Sequence, residues 1–127
     1  MTNLALYGFV ALGGATGAVL RTFISQTMVG LFGKAFPYGT LLVNILGSLL
    51  MGVLFSLLDD NLIAEMPWRQ FIGLGFLGAL TTFSTFSIES LLLLQQGEWL
   101  KAGLNISLNV FICIFVAYLG MRLVYRV

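Results

Sequence analysis

Residues 81–87 read Thr-Thr-Phe-Ser-Thr-Phe-Ser, placing five hydroxyl side chains within seven positions. Such hydroxyls bond back to carbonyls one turn earlier and bend a helix, and Gly73, Gly75 and Gly78 just upstream weaken it further. An isolated Ser or Thr normally leaves its helix intact; this density behind three glycines favours a break or unwound turn near residues 78–82. A break frees carbonyls that attract a cation and half-helix N–H groups that attract an anion. Phe83 and Phe86 are three apart and share a helix face. Their positive ring edges offer an anion a path with no cation to trap it; packing, the usual task of Phe in an apolar helix, is the alternative.

Other polar side chains are sparse. Asn44 is the only amide between Gly39 and Leu58; it donates to an anion or glues helices together. Asn105, Asn109 and Cys113 recur at i, i+4, i+8, a polar stripe on one helix face, with Ser107 off it. Glu89 is a carboxylate inside an apolar stretch, either a proton carrier or an interface residue. Arg21 is an anion lure or an interface anchor. The chain has no His, which excludes His general-base catalysis and His metal sites, and one Cys, which excludes an internal disulfide and a Cys-x-x-Cys knuckle.

The elements that position these residues follow from composition. Of 127 residues, 59% are hydrophobic and 9% charged, against about 25% charged in a soluble domain; mean hydropathy is +1.02. An ordinary cytosolic enzyme and a disordered chain are excluded, and no enzymatic activity is expected. A net charge of +1 without a basic stripe excludes nucleic acid as a partner. Charge-free runs cover residues 1–20, 35–58, 70–88 and 102–121. About 20 apolar residues cross a bilayer as a helix, so the sequence predicts an all-α membrane protein with four spans near 3–32, 39–58, 69–95 and 99–125. Residues 1–127 form a single four-helix transmembrane domain whose third helix is broken mid-membrane. The first span lacks a positive n-region and is read as a retained helix. Gly73–Gly78 matches G-x-G-x-x-G, but inside a span it has no βαβ context; the Asn105-Ile106-Ser107 sequon lies at membrane depth, where no glycan is attached.

Lys and Arg divide evenly. Arg69, Arg122 and Arg126 fall on one side, Lys34 and Lys101 on the other, and Arg21 is expected to snorkel to the latter. The balance gives no preferred orientation. The plain reading is a weak bias; with four helices too few to enclose a pathway, the balance favours copies inserted both ways and paired as an antiparallel dual-topology homodimer. Gly13 and Gly17 form a G-x-x-x-G pair that marks a tight helix interface without naming its partner.

Three motifs carry a family resemblance. Gly13–Arg21 is a glycine-rich first-helix motif ending in arginine, Gly39–Asn44 a second-helix motif, and Gly78–Ser87 a broken-helix signature. Together they resemble the Fluc (CrcB) family of small fluoride ion channels over essentially the whole chain. The resemblance implies an antiparallel dimer in the bacterial inner membrane that exports fluoride passively, with a structural, untransported Na+ at its centre. It implies backbone-carbonyl ligands at Gly78 and Thr81, pore phenylalanines at Phe83 and Phe86, a pore amide at Asn44, and a polar track at Ser84 and Thr85. Asn105, Asn109 and Cys113 stand where the family's helix-four track usually has aromatic, hydroxyl or imidazole groups. A small proton-coupled multidrug exporter wants a carboxylate in its first helix, and this one has none. A non-transporting assembly factor would use the polar residues only to glue helices.

Overall fold

A computed structural model describes residues 1–125; Arg126, counted above among the cations, lies outside the described residues. Among the described residues there is no strand. Four helical rods are apolar and long enough to cross a membrane: Asn3–Phe32, Tyr38–Asp59, Arg69–Gln95 and Trp99–Tyr125. The first two are the unbroken helices α1 (Asn3–Phe32) and α2 (Tyr38–Asp59). The third comprises a π-helical segment (Arg69–Leu77), a single α-turn α3 (Gly78–Leu80) and helix α4 (Phe83–Gln95). The fourth is α5 (Trp99–Ser107), a short π segment (Leu108–Ile112) and α6 (Cys113–Tyr125). The ends follow the charges, because a charge is costly to carry into hydrocarbon.

The connections are short and chemically terminated. Thr2 caps α1, its Oγ1 accepting from the Ala5 N–H at 3.2 Å. Gly33 and Gly97 follow α1 and α4 with φ of 78° and 76°, a left-handed conformation that glycine enters without steric cost. The Tyr125 hydroxyl donates to Asp59 Oδ2 at 3.1 Å, placing the end of the fourth rod beside the second loop.

The interior is small. Val43, Leu54, Leu77 and Leu80 form a buried cluster, flanked by Ile24, Ile72 and Phe76, while Leu4, Val19, Phe23, Phe111 and Ile114 face outward. That inversion suits a chain solvated by acyl tails, where close packing and polar contacts hold helices together. Gly13 and Gly17 supply the close packing, and their partner is the π segment. A Cβ on Gly13 would overlap the Phe71 carbonyl oxygen, and one on Gly17 the Phe76 carbonyl oxygen. Gly75 returns the fit, its Cβ position lying 2.7 Å from the Val10 carbonyl oxygen. The glycine upstream of the hydroxyl cluster thus seats the third rod on α1, a role beyond the helix weakening expected from sequence.

Candidate functional site

The helical dihedrals of the third rod stop after Leu80. Thr81 (φ −86°, ψ 158°) and Thr82 (φ −152°, ψ 123°) are extended, and α4 starts at Phe83. Two extended residues redirect the donors an unbroken helix would give its carbonyls. The Thr85 N–H turns from the Thr81 carbonyl to Thr82 Oγ1 at 3.2 Å, an N-cap. The Thr82 N–H turns from the Gly78 carbonyl to Asn44 Oδ1 at 2.8 Å. The Asn44 amide also donates to the Thr82 carbonyl at 3.2 Å, so one carboxamide satisfies both backbone groups of Thr82.

The Ala79 carbonyl, deprived of its Phe83 donor, accepts from Arg21 Nε at 3.0 Å. This corrects the expectation that Arg21 snorkels to the Lys34 end: its guanidinium turns inward because an unpaired carbonyl within an apolar bundle holds a donor strongly. Arg21 therefore leaves the count of end charges and lies against the turn that precedes the interruption.

Asn44, Thr81, Thr82, Phe83, Phe86 and Asn109 line one open groove of about 480 Å³ between α2 and the fourth rod. Phe83 is 77% exposed there, whereas Phe86 is 7% exposed; their ring centroids are 5.4 Å apart, tilted by 58°. Ser84 lies outside the lining, with its Oγ 3.4 Å from Thr82 Oγ1, and Thr85 contributes its backbone to the cap. Asn105 is fully buried behind the groove. Glu89 faces a separate cavity of about 300 Å³ beside Lys34, Thr40 and Gln96, with one carboxylate oxygen buried and unpartnered.

Sequence reasoning overlooked Ser90, whose Oγ accepts from Asn105 Nδ2 at 3.0 Å. The signal was present: Ser90 lies seven residues after Phe83 and four after Phe86, on the same helical stripe. Ala79 was missed because a backbone carbonyl leaves no trace in residue type.

The Gly78 and Thr81 carbonyls fit a monovalent cation. Each has lost its helical donor to a side chain, neutral oxygens suit a weakly held hard ion, and among the described residues no cluster of His, Cys, Asp or Glu suits a divalent one.

Four apolar helices, one of them interrupted beside a groove with no charged lining residue, define a small polytopic membrane protein with the irregular backbone typical of transport proteins. A family model described as "CrcB-like protein, Camphor Resistance (CrcB)" matches residues 8–121, and the chain belongs to that family. It is 66% identical over 115 residues to a protein of Pseudoalteromonas translucida (strain TAC 125) named "Fluoride-specific ion channel FluC", covering 91% of this chain and 96% of the relative. Proteins of the same name from Photobacterium profundum and Vibrio parahaemolyticus are 56% and 54% identical, each over 99% of both chains.

Proposed function

We propose that this chain forms a fluoride-selective channel that lowers cytoplasmic fluoride by passive export. The observation that carries the reading is its near-full-length likeness to proteins named fluoride-specific ion channels. The groove supports it chemically. No charged side chain is among its lining residues, so an anion meets hydroxyls, the ring edges of Phe83 and Phe86, and amide groups without a cation to trap it.

In this reading the working unit is an antiparallel dual-topology homodimer in the bacterial inner membrane, with the interruption at mid-membrane. The open groove and the exposed Phe83 are covered by the second copy. With Arg21 turned inward, Lys34 and Lys101 oppose Arg69, Arg122 and Arg126, a two-against-three imbalance too weak to fix orientation. The Gly78 and Thr81 carbonyls of both copies would hold the structural Na+. When bound, that ion supplies a fixed positive charge at the dimer centre and is not transported.

Purified protein in liposomes is expected to release fluoride far faster than chloride. A folded preparation that releases no fluoride overturns the channel. On a Cys113-free background, single cysteines placed at the termini are expected to label from both membrane faces; labelling from one face overturns dual topology.

A further inference from the structure

The Asn44 carboxamide is one link of a longer chain whose direction is fixed at one end. A backbone N–H only donates, so the Thr82 N–H, 2.8 Å away, requires Asn44 to present Oδ1. Asn44 Nδ2 then donates to Asn109 Oδ1 at 2.9 Å, besides the Thr82 carbonyl. With its oxygen engaged, Asn109 presents Nδ2 to Asn105, reaching Oδ1 at 3.0 Å and the backbone carbonyl at 2.8 Å. Asn105 in turn presents Nδ2 to Ser90 Oγ at 3.0 Å. Every link donates in the same sense, and the links come from three of the four rods.

The environment enforces that order. Asn105 is 0%, Ser90 6% and Asn109 7% exposed, so a missed partner within the chain is costly. Reversing any one amide sets nitrogen against nitrogen or oxygen against oxygen at its neighbours, and hydrogen bonds in such a chain polarise and strengthen one another. Both amide hydrogens of Asn44 and its oxygen are engaged, as are both amide hydrogens of Asn109.

We propose that Asn109, Asn105 and Ser90 are positioning residues: they form a one-way relay that locks the Asn44 carboxamide onto both backbone groups of Thr82 and so fixes the shape of the interruption. The assignment deepens the channel reading, which would otherwise have Asn44, Asn105 and Asn109 touch the ion directly. Asn44 is the strut of the broken helix, and Asn109 holds the strut at the correct rotation. Ser90 accepts at the far end, and its own hydroxyl hydrogen is left to donate onward.

The test separates the two acceptor and donor duties of position 109. Asn109→Asp keeps an oxygen for Asn44, whether ionised or not, whereas Asn109→Leu removes it. The readouts are hydrogen-exchange protection of the Thr82 amide and the side-chain amide resonances of Asn44, measured by NMR in a bilayer. Asn109→Leu is expected to lower Thr82 protection by about tenfold, the loss of about one net hydrogen bond, and to shift the Asn44 resonances. Asn109→Asp is expected to lose less than Asn109→Leu, since it keeps the acceptor for Asn44 but not the donors to Asn105. Full wild-type protection in Asn109→Asp would release Asn105 and Ser90 from the relay. Unchanged protection in Asn109→Leu, or equal loss in both variants, overturns the relay. Should Asn109→Leu not fold, Asn109→Ser serves: its hydroxyl stops short of Asn44, so the same loss is expected, and unchanged protection again overturns the proposal. Fluoride release by the wild type is measured in parallel; its absence would sink the channel reading while leaving the Thr82 result to judge the relay.

Discussion

Arg21 Nε donates to the Ala79 carbonyl oxygen at 3.0 Å, joining α1 to the turn before the interruption across 58 residues of sequence. The bond exists because the extended Thr81 and Thr82 carry the Phe83 N–H away from Ala79. Cause and consequence run both ways: the interruption creates a lone carbonyl, and the guanidinium makes the interruption tolerable within an apolar bundle. Arg21→Ala is therefore expected to destabilise the protein by about 1.5–3 kcal/mol, the range for hydrogen bonds to charged groups. Arg21→Lys recovers part of it, since an ammonium donates but lacks the guanidinium's planar reach. Thermal unfolding in detergent measures both. A snorkelling arginine would predict no loss, so an Arg21→Ala variant as stable as wild type refutes the inward contact.

The seam between α1 and the π segment gives a prediction with an internal control. A methyl group on Gly13 or Gly17 would collide with the backbone carbonyl of Phe71 or Phe76, and backbone cannot rotate aside as a side chain can. Gly14 lies between them, and a Cβ there meets nothing within 4 Å. Gly13→Ala and Gly17→Ala are expected to cost about 1–3 kcal/mol through overpacking, whereas Gly14→Ala is neutral or slightly stabilising because Ala is the better helix former. Equal effects at all three positions would show that the seam is not set by glycine contact.

These relationships differ in how far the sequence reveals them. Helix ends were legible where Lys34, Asp59, Arg69 and Lys101 mark where hydrocarbon must stop, and four rod ends, at Phe32, Asp59, Arg69 and Trp99, fall within two residues of those charges. The crowding of hydroxyls located the window in which Thr81 and Thr82 turn out extended. What pairs across helices was not legible. No periodicity relates Asn44 to Thr82 or Asn109 to Asn44, since each contact depends on the rotation of one rod against another. Arg21 was misplaced for the same reason: its distance along the helix is readable, but the carbonyl awaiting it belongs to another rod.

Phe83 and Phe86 separate stability from transport. Phe83 is exposed on the groove and Phe86 is buried beneath it. Phe83→Ile is therefore expected to change the stability of the folded chain by less than about 0.5 kcal/mol, and Phe86→Ile to cost about 1 kcal/mol. If ring edges contact the passing ion, fluoride release from liposomes falls in both variants, well beyond what the change in folded fraction explains. Wild-type release in Phe83→Ile returns that residue to a packing role.

Gly78 tests the proposed second copy without disturbing the first. Its backbone is ordinary right-handed helix, φ −62° and ψ −35°, so alanine enters without strain. An added Cβ finds the Gly73 carbonyl oxygen as its nearest neighbour at 3.5 Å, ordinary contact, and the residue faces outward. A single copy therefore has no reason to reject Gly78→Ala, in contrast to Gly13→Ala. A dimer in which Gly78 and Thr81 carbonyls of two copies converge on one ion does have a reason, because the methyl group projects beside those carbonyls. Gly78→Ala is thus expected to insert and fold with unchanged helical content while losing fluoride release by about tenfold or more, an effect of about 1.4 kcal/mol at the shared contact. Its dimer is expected to dissociate more readily than wild type in size-exclusion chromatography, and more so when sodium is replaced by a larger organic cation. A variant that keeps wild-type release and dimer stability would show that the Gly78 carbonyls do not converge on a second copy.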